Sequence, residues 1–256
     1  MPRSLVHPIF PLAAAFLFLA GMGSDVAGSL LPSSLELEGG VVWQTRNDIE
    51  IPNDGSATRF SVVDLVGRAP DAAWRAYVSW ELGRRHSLRA LYAPLTLTES
   101  GVPAGDLSYN GDLFLGGQDV ATIYRFNSYR LTYRYRWHEG ERWTWHVGFT
   151  AKIRDARVQL RQGDLVSTKD DVGFVPLLHV AGRYRFDDAW YASLDLDALA
   201  GGPGRAEDVA LKLGWNLRPD LAWEIGYRTV EGGADVDEVY SFAWLHYVVA
   251  GVRVEF

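Results

Sequence analysis

Residues 239–256 read VYSFAWLHYVVAGVRVEF. Apolar Ala250, Val252 and Val254 occupy alternate positions, and an aromatic ring, Phe256, closes the stretch. A period of two is the period of a β-strand, so the segment presents one apolar face. The same rhythm runs back through the chain. In residues 128–137, Tyr129, Leu131, Tyr133, Tyr135 and Trp137 share one face, while Ser128, Arg130, Thr132, Arg134 and Arg136 share the other. After 138–142 it restarts, with Trp143, Trp145, Val147, Phe149, Ala151 and Ile153 set against Thr144, His146, Gly148, Thr150, Lys152 and Arg154. Further on, Val209, Leu211, Leu213, Trp215 and Leu217 alternate with Ala210, Lys212, Gly214, Asn216 and Arg218. In a soluble sandwich the apolar faces would meet in a core and the arginines would be solvated. In lipid the faces invert, and because no backbone polar group can stay unpaired there, the strands must close into a barrel.

The other end of the chain favours the second arrangement. Arg3 precedes an apolar run over residues 9–20, and small residues follow at Gly21, Gly23, Ser24, Ala27 and Gly28. This is the pattern of a secretory signal peptide, expected over residues 1–27 with cleavage between 23 and 28, leaving 28–256 as one exported domain. No later segment reaches the roughly 20 apolar residues of a membrane helix. The alternating last strand ending on Phe256 resembles the C-terminal signature of Gram-negative outer-membrane β-barrel proteins. That resemblance implies export through the periplasm, insertion by the barrel assembly machinery acting on Phe256, and a bacterial outer-membrane location among lipid and lipopolysaccharide.

Composition agrees. A net charge of −7 at pH 7 disfavours nucleic acid, and the absence of cysteine removes disulfides, thiolate metal sites and thiol nucleophiles. No cofactor or metal motif is present; the 231–238 loop lacks calcium-loop spacing. Aromatic residues make up 13% of the chain, with ten tryptophans. Short turns near 83–86, 138–142, 187–189 and 218–220 are flanked by Trp80, Trp137, Trp143, Trp145, Tyr184, Phe186, Trp190, Trp215 and Trp223. With those turns in the periplasm, the rings form a girdle at the inner interface.

Counting back from Phe256 places outer loops near 231–238, 199–205, 161–170, 98–122 and 47–71. The fold class is therefore all-β, a transmembrane antiparallel up-and-down barrel of about ten strands and expected to be a monomer. Eight or twelve strands remain open because residues 59–66 can be read as part of an outer hairpin or as a separate span. Pro94 and Pro176 lie inside strands where the apolar set changes phase, which predicts a β-bulge at each.

The polar face would then line the lumen. It carries Arg75, Arg89, Arg130, Arg134, Arg136, Lys152, Arg154, Arg183, Arg185, Lys212, Arg228 and Arg253 against Glu36, Glu38, Glu81, Asp195, Asp197, Glu224 and Glu255. A barrel this narrow has little spare width, so the side chains are expected to interlock as ion pairs that fill the interior. The alternative is a narrow, anion-favouring passage. Acidic residues at Asp48, Glu50, Asp106, Asp164, Asp170, Glu207, Asp208, Glu231 and Asp235 are assigned to the outer loops or their edges.

A barrel hydrolase is the rival class. If Tyr184 faces Ala192, then His179 lies across from Asp197, half of a hydrolytic site. The nucleophile is missing, because Ser193 sits about 13 Å from Asp197 along its strand. The His-x-Ser signature of lipid A deacylases and the paired Asp and Asp/His clusters of omptin proteases do not occur at matching spacing. His146 is expected opposite Arg134 in a structural network, His86 and His138 in turns, and His246 toward lipid without explanation. The glycine-rich stretch Gly201, Gly202 and Gly204 joins two strands and opens no helix, so it lacks phosphate-cradling geometry, and the Gly-Gly pairs at 116–117 and 232–233 read as loop flexibility. The expected function is a non-enzymatic structural or narrow-channel barrel. Hydrolysis of lipid or peptide through His179 and Asp197, and surface binding through the 47–71 and 98–122 loops, are its alternatives.

Overall fold

The computed structural model describes residues 31–202 and 204–256; the proposed leader lies outside the described residues. Ten antiparallel spans close into a barrel: β1 (Ser34–Glu50), β3 (Asp71–Glu81), β4 (His86–Ala93) continued by β5 (Thr96–Gly101), β8 (Val120–Glu139), β9 (Trp143–Gln162), β10 (Leu165–Arg185), β11 (Trp190–Gly201), β12 (Gly204–Arg218), β13 (Leu221–Val236) and β14 (Val239–Glu255). Closure comes from β14 pairing with β1, from Ser34↔Glu255 to Glu50↔Tyr240. Residues 59–66 are not a span. They form the short β2 (Phe60–Ser61), which adds to the outer end of β1, and the helix α1 (Val62–Val66). The Ser61 hydroxyl caps α1 by accepting from the Asp64 N–H at 3.2 Å, and Gly67, at φ 94°, ends it.

The outward faces are apolar over a band bounded on both sides. At the turn end lie Trp137, Trp143, Trp190, Trp215 and Trp223, each more than 40% exposed. From Tyr184 to Phe174 the outward positions of β10 cover about ten residues, or about 25 Å at the rise and tilt of barrel strands. Above that height the outward residues turn ionic: Arg46–Asp48 at 2.7 Å, Arg125–Asp155 at 2.8 Å and Arg157–Asp170 at 2.6 Å, with Arg205 paired to Glu231. His246, which faces outward at mid-height, is enclosed by Trp43, Trp244 and Tyr227, and its Nε2 lies 2.8 Å from Thr45 Oγ1.

Two expectations about irregularities are corrected. Pro176 pairs with Ala151 in unbroken register, and the register sum across Pro94 is kept from Ala93↔Ser128 to Thr96↔Arg125. Neither proline makes a bulge. At Pro94 the ladder is interrupted, and the Asn127 side chain substitutes by accepting from the Leu95 N–H at 3.1 Å. Leu95, Leu97 and Leu177 face inward and are buried, so the apolar set does not change phase; it simply also occupies the lumen there. The register shifts that exist fall at Thr45, Trp137 and Leu217.

The outer half of the lumen is therefore a hydrophobic core. Val42, Leu95, Leu97, Tyr124, Val158, Leu160, Val230 and Leu245 project into it from the wall. Val62 of α1 and the small hairpin β6 (Leu107–Tyr109) and β7 (Asp112–Phe114) descend into it, with Tyr109 and Phe114 fully buried. The loops carrying these elements are tied together, Thr58 N–H to the Ser108 carbonyl at 2.8 Å and Asn110 N–H to the Ile51 carbonyl at 2.7 Å. The outer ends of β9 and β10, β11 and β12, and β13 and β14 come closer in sequence than expected because these strands run on beyond the apolar band.

Candidate functional site

Below that core lies a layer of charge to which every span of the wall contributes. Asp208 on β12 is its hub. It accepts from Arg130 at 2.7 Å, Arg228 at 2.7 Å and Arg75 at 3.2 Å. Glu38 on β1 takes Lys212 at 2.6 Å and Arg228 at 3.2 Å, and Lys212 reaches Glu36 at 2.6 Å and Glu224 at 3.1 Å. Glu224 also accepts the Tyr191 hydroxyl at 2.7 Å and lies 3.5 Å from Arg253. On the opposite side Arg130 donates to Asp197 at 2.8 Å, and Arg89 clamps Asp195 with two bonds of 2.6 and 2.8 Å. Arg228 donates to the Tyr77 hydroxyl at 2.7 Å. Arg75, Arg130, Arg228, Glu38, Asp208, Asp197 and His179 are each exposed by 6% or less.

Such a layer is stable only because partners are close on all sides, since desolvated charges left alone cost several kcal/mol each. Alternation makes it geometrically possible: each strand projects its lumen residue at one height, and the antiparallel register brings Asp197 beside Asp208 across β11 and β12. Two carboxylates placed side by side need the guanidiniums of Arg130, Arg75 and Arg228 between and around them.

His179 pairs in register with Asp197, its Nδ1 2.8 Å from Oδ1. The same oxygen accepts the Thr150 hydroxyl at 2.7 Å, and Thr150 in turn meets Thr132 at 2.8 Å. His179 Nε2 is buried without a hydrogen-bond partner. The hydroxyl nearest this pair thus bonds to the carboxylate and not to the imidazole, the reverse of what nucleophile activation needs. His179, Asp195 and Asp197 have ligand atoms within 4.8 Å of one another. Both carboxylates are already engaged by Arg89 and Arg130, so a cation there would face two guanidiniums.

The remaining lumen residues divide by height. Toward the short-turn mouth, Arg134 lies 3.9 Å from Asp195, Arg136 3.8 Å from Glu81 and 3.3 Å from Glu139, and Arg183 stacks over Tyr191 at 4.4 Å. With His146 they line an open vestibule of about 530 Å³. His146 pairs in register with Arg136 and not with Arg134, because the hairpin closes at Glu139↔Thr144, later than a turn centred on Gly140, and the shift at Trp137 takes back one residue. Arg185 is outside the lumen network; it donates to the Glu141 carbonyl at the turn. Toward the outer end, Arg154 pairs with Asp171, and Lys152, buried, sits 4.8 Å from the Phe126 ring.

Asp208 is the residue that sequence reasoning placed wrongly, among the loop acids. The signal was present: Val209 and Leu211 on the lipid side force Asp208 and Ala210 inward, in phase with Lys212. Tyr77, Tyr191 and Thr150 were also missed as network members, since an aromatic or a threonine in a strand carries no sign of its hydrogen bond.

No protein-family model and no curated protein matches the chain. Among solved structures it is similar to the outer membrane protease OmpT from Escherichia coli, at 12% identity and a TM-score of 0.53 over 91% of this chain and 100% of that one. Neisserial surface protein A matches at 11% identity and TM-score 0.36, covering 87% of this chain and 97% of its own. An outer membrane channel from Pseudomonas putida F1 matches at 11% and 0.43, covering 92% and 99%. The fold is that of the outer-membrane β-barrels.

Proposed function

We propose that this chain is a non-enzymatic outer-membrane barrel whose lumen is sealed, a structural and surface-facing protein and not an anion channel. The carrying observation is the buried ion-pair layer spanning the whole lumen cross-section between the vestibule and the apolar outer core. A continuous water path would expose some of its members, and mutual pairing leaves no surplus positive lining at that height to draw anions. In this reading the leader directs export, Phe256 engages the assembly machinery, and the mature barrel is a monomer held by outer-membrane lipid and lipopolysaccharide.

Refolded into a planar bilayer, the protein is expected to give no steady conductance steps. Reproducible anion-selective steps, read from the reversal potential under a salt gradient, would overturn this assignment in favour of the channel.

The hydrolase is the second reading, supported by the 2.8 Å approach of His179 to Asp197 and by the protease among proteins of similar fold. Release of fatty acid from phospholipid, or cleavage of a peptide library, by the wild-type barrel is expected to equal that of Asp197→Asn at background level. Turnover by wild type alone would establish the pair as catalytic.

A further inference from the structure

The barrel wall is incomplete in its outer half at two places. One gap, between the outer ends of β1 and β5, is filled by β2 and α1, where Gly101 packs directly against the Leu65 carbonyl. The other lies between β10 and β11. Their ladder ends at Leu178↔Ala198, above which β10 continues with β9 alone and β11 turns into β12. Nothing among the described residues fills it. A cavity of about 730 Å³ runs through this split, and its lining includes both Phe174 and Pro176, on the outer surface of β10, and Lys152, inside the barrel. The cavity therefore joins the lumen to the lipid-facing side. Its outer opening lies at the upper edge of the apolar band, where the lining runs from Phe174 and Pro176 up to the outward ions Arg157, Arg205 and Glu231.

The interior chemistry of the cavity is specific. Phe126, Val175 and Leu199 on one side and Ala206, Gly232 and Ala234 on the other form an apolar stretch of wall, the small residues leaving width for a chain, while Arg154, Asp171, Arg205 and Glu231 are ion-paired members of the lining. Lys152, 3% exposed, also lines it; its ammonium forms no ion pair or hydrogen bond with any described residue and lies 4.8 Å from the centre of the Phe126 ring. The cation beside it in register, Arg130, is already committed to Asp197 and Asp208. A buried ammonium without a counter-ion costs several kcal/mol, and the neighbouring cations of the ionic layer, Arg75, Arg89, Arg130, Lys212 and Arg228, are all paired.

We propose that the β10–β11 split is a lateral port for a single-chain acidic amphiphile, whose anionic head is bound by Lys152 while its acyl chain lies along the apolar walls and out into the outer leaflet. Ligand pockets of roughly 300–1,000 Å³ with apolar walls and few convergent polar groups are the normal form of such sites. A carboxylate or phosphate would supply the counter-ion that Lys152 lacks. The inference goes beyond the sealed-lumen reading and does not depend on it, since the port lies above the ionic layer.

The test is equilibrium binding of radiolabelled palmitate to the delipidated barrel in detergent micelles, with palmitic acid methyl ester and lysophosphatidylglycerol as competitors. Saturable binding of one palmitate per barrel is expected, with the methyl ester at least about tenfold weaker. Competition by lysophosphatidylglycerol would assign the head to a membrane phospholipid, and its failure to a free fatty acid. Lys152→Met should weaken palmitate about tenfold or more and erase its advantage over the ester, while Lys152→Arg restores it. Lys152→Met should also resist urea better than wild type, because it removes an unpaired buried charge at nearly constant volume. Gly201→Phe supplies an independent obstruction: a side chain there meets nothing within 4 Å, so the barrel folds while the port mouth is filled. Equal palmitate binding by wild type and Lys152→Met, or equal binding of acid and ester, would overturn the proposal.

Discussion

Asp208→Ala is expected to cost about 3–5 kcal/mol or to prevent folding altogether, because it strands Arg75, Arg130 and Arg228 in a dry interior with one anion fewer. The measure is urea-dependent refolding into lipid vesicles, followed by the shift in electrophoretic mobility between folded and heated barrel. Asp208→Asn keeps hydrogen-bonding capacity but loses charge, so it should fall between wild type and alanine. A compensated variant, Asp208→Asn with Arg130→Met, removes one charge of each sign and should recover part of the loss. That recovery separates charge imbalance from lost packing, since a cavity would only grow in the double variant. A cost below about 0.5 kcal/mol for Asp208→Ala, the usual range of surface substitutions, would mean that water reaches the layer.

The second large effect concerns the outer core. Tyr109→Ala and Phe114→Ala each empty a fully buried ring site beneath the cap, and each is expected to cost about 3–5 kcal/mol. Tyr109 loses in addition the bond from its hydroxyl to the Val158 carbonyl at 2.8 Å. Deleting residues 103–118 should unseat the same contacts together, yet leave the strand ladder whole and the barrel inserted. Because the ionic layer lies below, the deletion variant should remain electrically silent in a bilayer. If it conducts, the cap and not the charge layer is what closes the lumen. The comparison of stability loss with unchanged conductance therefore assigns a separate task to each layer.

What the sequence made legible follows from the strength of period-two patterning. Where one face meets lipid, as in Tyr129 to Trp137 or Val209 to Leu217, a one-residue slip would expose charge to hydrocarbon, so phase and strand are both fixed. That logic also brought His179 opposite Asp197 across a short turn. It failed where the lumen itself is apolar. Leu95, Leu97, Val175 and Leu177 were read as lipid-facing because apolar meant outward, and two bulges were inserted to reconcile them. Leu95 and Leu97 are buried in the cluster that holds Val62 of α1 and Tyr109 and Phe114 of the β6–β7 hairpin, tertiary partners that no local pattern announces. The register at this hairpin was equally hidden, since the place where the turn closes moves His146 from Arg134 to Arg136 without altering the alternation. The acids were sorted by distance from a presumed loop, which misplaced Asp208; sorting by phase would have recovered it. His246, apolar-facing by position, is accommodated by rings contributed from two neighbouring strands.

The two seams in the outer wall have a mechanical consequence. A tube cut lengthwise loses most of its resistance to twisting, whereas the uncut ring below retains it. The outer wall therefore behaves as two half-shells, β5 with β8–β10 and β11–β14 with β1, standing on a stiff base. One seam is wedged shut by α1; the other is free. The free seam can widen only if the shells pivot about the wedge. Val62 and Val63, both buried, hold that wedge against the outer core.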